Sequence, residues 1–168
     1  MVSASYSLLL SMFSVIVSSL AFYLLIKKDK VSQKKQPDFT TKPMQLQAYE
    51  RLVILAERIA LPNLIGRLNQ QDLSVKEMQL LLLSNIKQEF EHNFSQQIYV
   101  TQTAWQSLQK LKDQNMLIVN QVAQTLPTNA TSFDLSRTIL ELILKQEKNA
   151  LHLIVLDALN FEARKLMR

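Results

Sequence analysis

From Leu46 to the C-terminus, apolar residues return every three or four positions, the period of a helix with one face turned inward. The first such segment, "MQLQAYERLVILAERIALP", follows Pro43, which suits the first position of a helix capped from Thr41 or Lys42. Its inward face reads Leu46, Tyr49, Leu52 or Val53, Ala56 and Ile59. Pro62 then breaks the chain, and a short helical piece, "PNLIGRLNQ", holds Gly66. "SVKE", Ser74 to Glu77, is a capping box that predicts a long helix with Met78, Leu81, Leu82, Ile86, Phe90 and Phe94 inward. "SQQIYVT" interrupts that pattern, with caps available at Ser95 and Thr101. A further helix is expected from Gln102 to Leu126, turning Trp105, Leu108, Leu111, Ile118 or Val119, Val122 and Leu126 inward and ending at Pro127. "PTNATSFD" is a turn cluster, after which the chain is helical to its end, with a break near Lys148 and Asn149.

The pattern predicts an all-α protein whose residues 43–168 form a bundle of four to five helices. A different object precedes it. Residues 1–26 contain no charged side chain, and from Ser5 to Ile26 the run is long enough to cross a hydrocarbon core of about 30 Å as a helix. A cleaved signal peptide needs a basic start and a shorter apolar core, whereas here the charges come only after the run. Residues 27–42 form a basic juxtamembrane linker, in which Lys27, Lys28, Lys30, Lys34 and Lys35 stand against Asp29. The positive-inside rule then puts the N-terminus outside and the C-terminal domain in the cytoplasm, as a single-pass protein of the inner (plasma) membrane.

That short segment accounts for most of the formal charge of +5. Gln36 onward carries 14 of the 19 Lys and Arg against 13 of the 14 Asp and Glu, so the lysines suit anionic headgroups and the domain lacks a nucleic-acid footprint. With one glycine, neither a phosphate-binding loop nor a dinucleotide fingerprint can be built. Without cysteine there are no disulfides, thiolate metal sites or thiol nucleophiles, a composition that fits a reducing compartment. Within the span, Ser7, Ser11, Ser14, Ser18 and Ala21 are spaced four, three, four, three and make a candidate helix-packing seam. The competing reading is that these hydroxyls bond back to the preceding turn.

Candidate chemistry gathers in "EFEHNFSQQIYVTQTAW", which ends on the only tryptophan. Glu89 and His92 are spaced E-x-x-H, one turn apart on one face, as dinuclear metal bundles require. One such motif is half a site, because His152 has Asn149 where the second Glu should stand; Glu50 or Glu57 is left to supply a further carboxylate. The other reading concerns pairing. Glu50, Arg51, Glu57 and Arg58 all lack an opposite charge three or four residues away, so water or another segment must satisfy them. Arg51, Arg58, Glu89 and His92 are therefore candidates for pairs between helices, with an acidic row beside a basic row on the first helix. Phe90, Phe94, Ile98, Tyr99 and Trp105 read as the apolar mass of a structural joint that also shapes a binding surface.

"LQAYERLVILAERI", "LPNLIGRL" and "EFEHNFSQQIYVTQTAW" resemble an uncharacterised family of short, single-span bacterial membrane proteins with a helical cytoplasmic domain. The resemblance implies a layout and supplies no activity, substrate or cofactor. The expectation is a membrane-anchored interaction or scaffold module, or an accessory subunit of a membrane complex, that meets another protein or itself. No nucleic acid, small-molecule substrate or cofactor is inferred. The alternative is a metal-binding bundle, an enzyme, using Glu89 and His92.

Overall fold

The computed structural model describes residues 41–68, 70, 72–145 and 151–167. The predicted span, its serine seam, the five linker lysines and the expected break at Lys148 and Asn149 lie outside them. Among the described residues no helix is long and apolar enough to cross a membrane.

Six α-helices make up the described part: α1 (Lys42–Ile59), α2 (Leu61–Leu68), α3 (Val75–His92), α4 (Gln102–Thr125), α5 (Ser132–Lys145) and α6 (Leu151–Leu166). A 3-10 turn, Phe94–Ile98, joins α3 to α4. The fold is all-α, and the count exceeds the expected four to five because α2 is a helix in its own right. Ala60 leaves helical geometry at ψ 123°, two residues before Pro62, and so separates α2 from α1.

The core follows the apolar periods. Leu52, Leu55, Ala56 and Ile59 of α1, Met78, Leu82 and Ile86 of α3, Leu108, Leu111 and Val119 of α4, Leu135 and Ile139 of α5, and Val155 and Leu159 of α6 are all buried. The first and last described helices, α1 and α6, pack against each other, α4 packs on both α3 and α6, and α3 on α5. A closed bundle results, in which each helix turns one stripe inward.

The caps explain the boundaries. Ser74 Oγ accepts from Glu77 N while Glu77 accepts from Ser74 N at 2.9 Å, the reciprocal pair foreseen from "SVKE". Thr101 Oγ1 accepts from Ala104 N and starts α4. At the end of α1, the break leaves carbonyls that helix bonds no longer reach, and side chains replace them. Asn63 Nδ2 donates to Glu57 O at 3.0 Å, Arg67 Nη2 to Arg58 O at 3.4 Å and Asn115 Nδ2 to Ile59 O at 2.8 Å.

Two expectations for the joint are corrected. Phe94, predicted inward, is 54% exposed, and Ile98, predicted to add apolar mass, is 75% exposed. Once α3 stops at His92, the tighter 3-10 turn advances three residues per turn, so the α-period no longer applies; Gln96 takes the buried position instead. Phe94 still meets Trp105 edge-to-face at 5.8 Å, and Phe90 lies 4.9 Å from the same indole.

Candidate functional site

A groove of about 530 Å³ runs between α1 and α3. Arg51, Ile54 and Arg58 line one wall, three residues that a helical period of three and four brings to one side of α1. Asn85, Gln88, Glu89 and His92 line the other, with Asn93 at its end. Asn85 and Asn93 donate their side-chain amides back to Leu81 O and Glu89 O.

Its electrostatic centre is one carboxylate. Arg58 Nε and Nη2 both reach Glu89 Oε1, at 2.7 and 2.6 Å, and Arg67 Nη2 stands 3.5 Å from the same oxygen. The bond to Glu89, and then its charge, push the Arg58 guanidinium upward from its ordinary value. Half of the Arg58 side chain is exposed, so the pair contributes at most about 1 kcal/mol and acts mainly to orient α1, α2 and α3. Arg67 was not singled out in the sequence. The criterion used for Arg51 and Arg58 finds it, since residues 63, 64, 70 and 71 offer no acid one turn away.

The other candidates separate. Glu50 is exposed and does not line the groove. Glu57 turns the other way, accepting from Asn63 Nδ2 at 2.9 Å and standing 3.5 Å from His152 Nε2, an approach without hydrogen-bond alignment. Glu89 and His92 share the α3 wall, while Glu50 and Glu57 do not join them, so the carboxylate that a metal reading needs is not delivered from α1. Among the described residues, no three His, Asp or Glu side chains are grouped to hold a metal. Trp105 is buried, and Tyr99 is half-buried at the joint.

A second polar constellation lies on α1 away from the groove. Tyr49 Oη donates to Glu162 Oε2, Thr101 Oγ1 donates to the same oxygen at 2.6 Å, and Thr101 N donates to Tyr49 Oη at 3.2 Å. The knot ties α1, the cap of α4 and α6 together.

The family model described as a family of unknown function (DUF7935) matches residues 3–166. The chain belongs to this family. Its match covers both the uncharged N-terminal run and the helical domain, and agrees with the expectation of an uncharacterised family. No curated protein and no solved structure matches the chain.

Proposed function

We propose that this chain is a membrane-anchored helical interaction module, a scaffold or accessory component of a membrane complex that binds another protein or a second copy of itself. The uncharged run of residues 1–26, followed by five lysines against one aspartate, supports an N-out anchor with the helical domain on the cytoplasmic side. The observation that carries the reading is the outer face of α1, where Glu50, Arg51, Ile54, Glu57 and Arg58 are all exposed along a helix rather than converging into a closed pocket.

Glu89 favours this reading over the metal-binding alternative. Its carboxylate is held by Arg58 and approached by Arg67, so a metal at Glu89 and His92 has to displace two guanidinium groups.

Two measurements test the proposal. An alkaline phosphatase fusion at Arg168 is expected to be inactive, and activity outside the membrane overturns the anchor's orientation. A photo-crosslinking residue at position 51, in native membranes, is expected to give a protein adduct. Absence of any adduct, together with stoichiometric metal that is lost on His92→Ala, transfers the assignment to the metal-binding bundle.

A further inference from the structure

The outer face of α1 is self-complementary. At 100° per residue, Glu50, Glu57, Ile54, Arg58 and Arg51 fall within one third of the helix circumference, with Ile54 near the middle. The acids form one edge of that stripe and the arginines the other. Ile54 is 50% exposed between them. Among the described residues, Glu50 and Arg51 make no ion pair, and neither has an opposite charge one turn away in its own helix.

We infer that a second copy of this chain docks here, α1 against α1, parallel and in register about a two-fold axis along the helix pair. Symmetry decides the direction. A two-fold axis running along the helices exchanges left and right edges, so each copy's acidic edge lies on its partner's basic edge; Ile54 meets Ile54. The antiparallel arrangement preserves the edges, setting acid on acid and arginine on arginine, which is repulsive. The parallel contact is isologous, and both sets of pairs form at once.

The α1–α3 groove borders the basic edge and gives the incoming carboxylates room. Arg67, already 3.5 Å from Glu89, keeps a cation on that carboxylate when Arg58 turns toward the partner's Glu57. Such a contact is modest in area. It rests on the anchor reading above, because two chains held in one membrane meet at a high effective concentration, so a small interface suffices.

The chain has no cysteine, so single introduced cysteines report contacts without background. The full-length protein in lipid vesicles is expected to form disulfide dimers with Gln47→Cys and with Ile54→Cys, two turns apart on the seam. An antiparallel pair crossing at Ile54 joins only Ile54→Cys, and that result overturns the stated direction. In the Ile54→Cys background, Arg51→Glu alone and Glu50→Arg with Glu57→Arg are each expected to slow cross-linking about tenfold, as opposite-charge pairs become like-charge ones. Mixing the two reversed proteins is expected to restore it. Unchanged cross-linking of each reversed protein by itself, or no recovery on mixing, overturns the inference. Gln47, Glu50, Arg51, Ile54 and Glu57 are all exposed, and circular dichroism checks that the variants fold. Cross-linking through Ser11→Cys without Ile54→Cys locates association in the span and refutes the α1 contact while leaving the anchor standing. Failure of the anchor itself is read separately, as loss of the chain from the membrane fraction.

Discussion

Tyr49 donates its hydroxyl hydrogen to Glu162, 113 positions further along the chain, and accepts one from the backbone of Thr101. Tyr49 is buried, and burial first, then the bond to Glu162, push its hydroxyl above the usual tyrosine range. The neutral phenol is the form the fold favours. Its contribution is therefore complete below the unfolded pKa of about 10, and is lost as pH rises through the higher folded value. Tyr49→Phe is expected to cost about 1 to 3 kcal/mol in denaturant unfolding at neutral pH, because Glu162 and Thr101 N lose a partner. It is also expected to remove part of the wild-type loss of stability at alkaline pH. Identical alkaline profiles for the two proteins would show that the phenol is not titrating against the fold.

Trp105 and Phe94 separate the buried from the exposed half of the joint. Trp105→Ala removes a buried indole on which two phenyl rings pack, and is expected to cost about 3 to 5 kcal/mol. Phe94→Ala loses only an edge-to-face contact at the surface, and about 1 kcal/mol is expected. Equal losses for the two in chemical denaturation contradict this assignment.

Asn115 is a polar side chain inside the core, 6% exposed, whose amide closes the last carbonyl of α1. Asn115→Ala leaves the Ile59 carbonyl without its donor, and about 1 to 3 kcal/mol of stability is expected to go with it. Asn115→Asp replaces that donor by an acceptor and is expected to be worse at neutral pH than at acid pH, where the carboxyl regains a proton to donate. Thermal unfolding of both variants across pH checks the order.

Gly66 is the only glycine, and it sits inside α2 in a conformation that any residue adopts, with nothing within 4 Å of an added Cβ. Gly66→Ala is expected to stabilise the protein by about 0.5 to 1 kcal/mol through the unfolded chain's lost freedom. A fall in the melting temperature would mean that this surface needs the missing methyl's space.

What the sequence determined by itself is what short range decides. "SVKE" specifies the start of α3 because both bonds of a capping box join residues three apart, and Thr101 starts α4 for the same reason. Pro62 marks the α1–α2 break to within two residues, and the periods of Leu52 to Ile59 and of Leu108 to Val119 name the core because a regular helix makes facing a function of spacing. Missing acids one turn from Arg51 and Arg58 announced that partners must come from elsewhere, without saying from where. Tertiary structure decided that Glu89 takes Arg58 and that Arg67 approaches it, that Glu57 turns toward Asn63 and His152, and that Tyr49 finds Glu162. Asn115 sits at the interior spacing of Leu111 and Val119, so its burial was legible there, but its partner on α1 was not. Phe94 shows the limit from the other side: the chain leaves α geometry at Asn93, and with it the period that assigned Phe94 inward. Periodicity predicts a side chain's direction only while the backbone keeps its turn, and partners across helices depend on how the helices dock, which no local spacing encodes.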